Sequence, residues 1–149
     1  VDVHDVVSEV AENVNFEAKG ERVNVASAGD VRIRGYRGAL VSAIENVVRN
    51  AIRHSPADKP VTVDVSTANG AVTVTVEDEG PGVAANDLPH LFEPFYRTRE
   101  SAERDGNGGT GLGLAIARRA IVDLHGGRMQ ARNANGSGLV VTMSVPARL

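Results

Sequence analysis

"VTVDVSTANGAVTVTVED", residues 61–78, holds two alternating runs, Val61, Val63, Val65 and Val72, Val74, Val76, on either side of Asn69-Gly70. Alternation with a period of two reads as a half-buried strand. Asn-Gly between two such runs is a strong hairpin signal, because the tight turn needs positive φ at both central residues. The two strands are therefore expected to be antiparallel, which speaks against a uniformly alternating βαβ chain. Carried one step further, the alternation of the second run puts Asp78 on the core face at the end of its strand. A carboxylate there needs a partner.

Helical spacing appears on both sides of this hairpin. Val3, Val6, Val7, Val10 and Val14 predict a helix near the start, with Asp2 and Asp5 favouring its N-terminal end. Leu40, Ile44, Val47, Val48, Ala51 and Ile52 predict a second helix over 35–54, stopping before Pro56. A third is expected over 110–125, with Leu112, Leu114, Ile116, Ala120, Ile121 and Leu124 largely inward, His125 at its negative end and Gly126 as a cap. "RVNVAS" (22–27) and "DVRIR" (30–34) read as a small strand pair. "GRMQARN" (127–133) and "GLVVTMSVP" (138–146) read as a closing hairpin. Between Gly80 and Gly109 no period is sustained, apart from the apolar cluster Leu88, Leu91, Phe92 and Phe95. A stretch that long in a small domain is usually functional or disordered. The expected class is α+β: a mixed or antiparallel sheet with helices on one face.

The totals set bounds. The 149 residues fit one domain, and 42% apolar content suffices for a core. A net charge of −3 gives no electrostatic support for nucleic-acid binding. Without cysteine there is no disulfide and no thiolate metal site. No apolar run reaches the length of a membrane span and no signal peptide is visible. The chain opens on Val1, so we expect a piece of a longer protein.

Three stretches carry chemistry. On the second helix, Asn46, Asn50, Arg53 and His54 share one stripe. Asparagine is a poor helix former. Its amide oxygen suits Mg²⁺, which keeps its other positions for water and phosphate; a plain polar rim is the alternative. "DEGPG" (78–82) sets a carboxylate before alternate glycines, so backbone can approach a flat ligand while Asp78 accepts from an exocyclic amine such as adenine N6; an ordinary acidic turn is the alternative. "GNGGTGLGLAIARRA" (106–120) leads glycines into a helix start, where free N–H groups and the helix dipole favour an anion; a flexible hinge is the alternative.

Together and in this order, the stretches resemble the catalytic ATP-binding domain of sensor histidine kinases, within the superfamily shared with DNA gyrase, heat-shock chaperones and mismatch-repair ATPases. "NVVRNA" is similar to the asparagine box, "DEGPG" to the first glycine box, "FEPFYR" to the phenylalanine box, "GTGLGLAI" to the second glycine box and "HGGRMQARNANGSG" to the closing hairpin and last glycine box. The resemblance spans about Val1 to Pro146. It implies a Bergerat-type two-layer α/β sandwich with three helices over one face of a mostly antiparallel sheet, and a mobile ATP lid at about 84–108. It implies that Asn50 binds Mg²⁺ with Asn46 beside it, that Arg53 faces phosphate and that His54 packs on adenine. Asp78 would read the adenine amine, with Gly80 and Gly82 shaping that pocket. Phe92 and Phe95 would anchor the lid. Gly109, Thr110, Gly111, Leu112 and Gly113 would bring backbone to the triphosphate of ATP.

Two positions depart from the family pattern. Leu139 stands where Thr or Ser is frequent. Asn46 stands where the ATPases, and the serine-directed relatives, tend to carry a water- or hydroxyl-activating Glu; Glu45 is about 100° away around the helix. A neutral imidazole needs no such base, so Asn46 favours a histidine acceptor. None of His4, His54, His90 and His125 lies in an acceptor context. The resemblance thus implies phosphoryl transfer to a histidine on a dimerisation domain elsewhere in the parent protein, then signalling to a response regulator. This domain would be cytoplasmic, part of a membrane-anchored sensor, with no membrane or nucleic-acid contact of its own. An anti-sigma-type serine kinase, or a non-catalytic nucleotide-binding regulator of the same fold, is the alternative.

Overall fold

A computed structural model of the chain describes residues 1–97 and 111–147. The first helix, α1 (Val3–Ala18), begins where the Asp2 carboxylate accepts from the backbone N–H groups of His4 and Asp5, the role of an N-cap. Its valines line one side and are buried. The helix ends at Lys19, which takes a positive φ of 57°, and Asn15 then steers the chain. The Asn15 amide oxygen accepts from the N–H groups of Arg22 (2.8 Å) and Val23 (2.9 Å), which turns the chain into β1 (Val23–Ser27).

Helix α2 (Arg37–His54) follows, then β2 (Val61–Ala68) and β3 (Ala71–Glu77). Asn69 and Gly70 both take positive φ, as the hairpin reading requires. After a long connection come α3 (Gly113–Arg118), a π-helical turn over Arg119–Leu124, β4 (Arg128–Asn133) and β5 (Leu139–Pro146).

The five strands lie in the order β1-β2-β3-β5-β4. Only β1 and β2 run parallel; every other pair is antiparallel. Register decides which face is apolar. Val63 pairs with Val76, Val76 with Val141, and Ala131 with Val141. These residues and their alternate neighbours form the sheet side of the core, and the three helices cover them. The expected α+β sandwich is the observed one.

Two expectations are corrected. Residues 30–34 do not pair with β1. They run beside the start of the chain instead: Val3 N–H donates to Val31 O (3.1 Å) and Ile33 N–H to Val1 O (2.8 Å). Val31 and Ile33 are buried as their alternation implies, but alternation names a face and not a partner. The third helix is not uniform. Its second half opens into a π-turn, which shifts the phase of the residues beyond it. Leu124 is consequently exposed rather than inward; before the π-turn, Ile116 is half-exposed and it is Ala117 that is fully buried.

Helix α2 spans the core, with Leu40, Ala43, Ile44, Val47 and Val48 all buried. Truncating Ile44 leaves a void between α2 and the sheet. Ile44→Ala is expected to cost about 2–5 kcal/mol in denaturant unfolding. A loss under half a kcal/mol would mean that α2 does not pack as described.

Candidate functional site

The site begins where β3 runs out. Asp78 is 2% exposed, and its Oδ1 accepts from the N–H groups of Gly80 (2.9 Å) and Leu139 (3.2 Å). Among the described residues Oδ2 accepts no hydrogen bond. It is left as an acceptor for a ligand. Position 139 thus contacts Asp78 through its main chain, although no hydroxyl stands there.

Glycine is required around this carboxylate for lack of room. A Cβ on Gly80 would lie 2.2 Å from the backbone oxygen of His54, at the end of α2. A Cβ on Gly138, whose φ is +112°, would lie 2.0 Å from the backbone oxygen of Asp78. His54, Asp78, Gly80 and Gly138 therefore form one tight neighbourhood. The His54 ring turns back along its own helix. Its Nδ1 donates to the Asn50 carbonyl at 2.7 Å, since a carbonyl can only accept.

Two residues that the sequence reading missed hold the loop in place. Asn133 pairs with both main-chain groups of Val83: its Oδ1 accepts from Val83 N–H (2.8 Å) and its Nδ2 donates to Val83 O (2.7 Å). Ser137 Oγ donates to Gly80 O (2.5 Å). The last glycine stretch is therefore a clamp over the first. The sequence hint was an asparagine ending β4 beside "NGSG", which reads equally well as an ordinary turn.

Asn46 and Gly113 meet where α2 crosses α3. The Asn46 Nδ2 donates to Ser42 O (2.9 Å), and its Oδ1 would be 3.2 Å from a Cβ on Gly113. Asn50 lies one turn further along, half-buried, and its side chain makes no hydrogen bond among the described residues. An unpartnered amide between a glycine-floored helix start and the Asp78 loop suits a metal-bound anion. Arg53 lies on the exposed rim of the same stripe, and Leu112 opens α3. Gly82 (φ +79°) sits against Asn133. Gly109 and Thr110 lie outside the described residues, as does the 98–108 part of the expected lid.

The phenylalanines behave differently from each other. Phe92 packs with Leu88 and Pro89 over Val140, on the helix-free side of the sheet, where they line a cleft of about 390 Å³. The Phe95 ring is 71% exposed. Its hold is the main chain: Phe95 N–H donates to Gly111 O (2.9 Å), and a Cβ on Gly111 would collide with Phe95. Nearby, the Tyr96 hydroxyl donates to Asp87 Oδ1. That bond, then burial and the charges of Asp87 and Glu93, raise the Tyr96 phenol above its ordinary range.

Residues 35–149 match the family of histidine kinase-, DNA gyrase B-, and HSP90-like ATPases. Sensor histidine kinase CpxA of Escherichia coli (strain K12) is 41% identical over 142 residues, which cover 93% of this chain and 30% of CpxA. The structure of the mycobacterial sensor histidine kinase MprB matches with a TM-score of 0.87 and 25% identity, over 99% of this chain and 97% of that one. ShkA, solved at full length in complex with AMPPNP, matches with a TM-score of 0.75 and 28% identity, over 98% of this chain and 30% of ShkA. The chain thus spans under a third of the length of CpxA and of ShkA. No helix among the described residues is long and apolar enough to cross a membrane.

The raised phenol gives a pH signature. Stability from the Tyr96–Asp87 bond is present below the ordinary phenol range and is lost as pH rises through the higher folded value. In a tyrosinate absorbance titration one phenol should ionise late, and Asp87→Asn should bring it back toward the ordinary range. An unchanged titration in that variant would remove the bond.

Proposed function

Since the chain belongs to the family of histidine kinase-, DNA gyrase B-, and HSP90-like ATPases, we propose that it is the catalytic domain of a sensor kinase, binding Mg²⁺-ATP and passing the γ-phosphoryl group to a histidine on a separate domain. Family membership makes it a nucleotide-binding domain. The closer reading draws support from CpxA and MprB, both sensor histidine kinases, and from the ATP analogue bound by ShkA. The greater length of CpxA leaves room for the acceptor domain. A response regulator would act downstream.

The residues divide the task. Asp78 Oδ2 accepts from the adenine amine, while Gly80, Gly82 and Gly138 keep the floor flat. Asn50, with Asn46 beside it, holds the metal, and Arg53 faces phosphate. Gly111, Leu112 and Gly113, together with Gly109 and Thr110, offer main chain to the triphosphate. Mg²⁺, when bound, neutralises charge on the phosphate oxygens. The incoming imidazole nitrogen supplies its own lone pair: an N–P bond forms, the bond to the β-phosphate oxygen breaks, and ADP leaves. Catalysis is then mostly positioning and charge neutralisation.

One observation carries the choice of a histidine acceptor. At the α2–α3 crossing stands the neutral amide of Asn46, which cannot take a proton from water or serine. The neighbouring carboxylate, Glu45, accepts from Arg49 Nε at 2.9 Å, within a cluster that includes Glu17. It points toward α1 rather than the crossing.

In Asp78→Asn, the amide oxygen can keep both backbone bonds while an NH₂ group faces the adenine amine, donor against donor. ATP affinity should fall about tenfold or more, the worth of a hydrogen bond to a charged group, and tripolyphosphate affinity should hold. Asn50→Ala should stay folded and lose Mg²⁺-dependent binding of both. Equal losses for ATP and tripolyphosphate in the Asp78 variant would reassign that carboxylate to the fold. Rapid ATP hydrolysis by the chain alone, lost in Glu45→Ala, would make it an ATPase.

A further inference from the structure

We propose that His125 is a positioning residue for the nucleotide site: only its neutral Nδ1–H form ties the start of α2 to the end of the π-turn after α3. The inference concerns residues remote from the proposed contacts, and its affinity arm rests on the reading of the site as an ATP site.

Two contacts specify the state of the ring. Nδ1 lies 2.7 Å from Ala120 O. A carbonyl only accepts, so Nδ1 carries the proton. Nε2 lies 3.0 Å from the main-chain nitrogen of Tyr36. That amide only donates, so Nε2 presents its lone pair. Of the three forms available to an imidazole, one satisfies both. Protonation would set an N–H against an N–H and break the Tyr36 bond, while the Ala120 bond survives.

The Tyr36 N–H is a helix-terminal group that lacks local help. Tyr36 is the N-cap of α2, and its side chain makes no capping bond. In a capping box a Glu or Gln three residues on would satisfy this N–H. Here that position is Ala39, which has nothing to offer, and the acceptor comes from 89 residues away. At the other end, the His125 main-chain N–H goes to Val122 O, and the ring takes Ala120 O instead.

Space has been kept for the ring. A Cβ on Gly35 would lie 2.5 Å from Nε2 and 2.6 Å from Cδ2. The Tyr36 ring meets the imidazole edge to face, with centroids 5.8 Å apart. The charged side chains on the surrounding segments are Arg34 before α2 and Arg37 at its start, Arg119 and Asp123 on the π-turn, and Arg128 after it. Arg37 pairs with Glu9 at 2.9 Å, and none of the five hydrogen-bonds to the ring.

The consequence reaches the site through two helices. Asn46 meets Gly113 near the middle of α2, while Tyr36 meets His125 at the start of α2 and the far end of the α3 segment. Ten residues of helix span about 15 Å. A latch at that distance fixes the angle at which Asn46 and Asn50 face the start of α3.

Nitrogen NMR of the chain tests the latch directly. At neutral pH His125 should show the Nδ1–H tautomer, with scalar coupling across the N–H···N bond from Tyr36. The coupling should vanish as the ring protonates on acidification. An Nε2–H tautomer, or no coupling at neutral pH, overturns the proposal. For the site, His125→Ala and Gly35→Ala should each stay folded and weaken Mg²⁺-ATP binding by about three- to tenfold, as expected for the loss of one or two hydrogen bonds. His125→Gln, whose carbonyl oxygen sits as many bonds from Cβ as Nε2 does, should restore affinity. It should also be less sensitive to acid than the wild type when the two are compared at each pH. Identical pH profiles for wild type and His125→Gln would refute the positioning role. If the coupling is present but no form binds ATP, the latch stands and the ATP reading fails.

Discussion

The Asp78 carboxylate is the constraint on which the rest of the site is built. One oxygen gathers an N–H from its own loop and another from β5, so the chain leaving β3 is fastened to the neighbouring strand before it can wander. β3 is the middle strand of the sheet, so this anchor stands on the most enclosed part of the fold. The end of α2 then closes on Gly80, and the turn before β5 closes on Asp78 itself, each at a distance that admits no methyl group. The floor is therefore main chain packed against main chain. Such a floor has few side-chain rotamers to freeze, which lowers the ordering cost when a ligand arrives.

Charge is kept away from that floor. Arg49 gathers Glu45 and Glu17 on the flank of α2 that faces α1. The stripe toward α3 presents amides first and its arginine only at the rim. At the α2–α3 crossing the described polar side chains of that stripe are the neutral amides of Asn46 and Asn50, while the Asp78 carboxylate stands apart at the end of β3. Fixed dipoles aimed at a developing charge need no reorganisation as it develops.

Much of this was legible in the sequence, for identifiable reasons. The valine alternation, the Asn69-Gly70 turn and the helical faces of α1 and α2 are repeating signals, and repetition survives local exceptions. The inward carboxylate at 78 followed from the same count. What escaped was partnership and phase. Residues 31–33 alternate properly, yet lie against residues 1–3 rather than along the open edge of β1. The π-turn shifts Leu124 outward, and nothing in "ARRAIVDLH" marks where the extra residue enters. Asn133 and Ser137 act across long stretches of chain, on Val83 and Gly80. A turn-like composition carries no record of such reach.

The pairing of β3 with β5 has one more consequence. The two strands lie side by side with a long excursion between them, and all of it leaves and returns at one end of a finished ladder. The entropy of closing such an excursion grows only with the logarithm of its length, so doubling it costs about 0.6 kcal/mol. Because the excursion also carries α3 and β4, it is the stretch between β3 and α3 that can lengthen at that small cost. Residues 84–86 of that stretch are exposed and outside any helix or strand, the kind of position where extra chain is tolerated. A fold arranged this way can change the length and composition of that connection while leaving its core untouched.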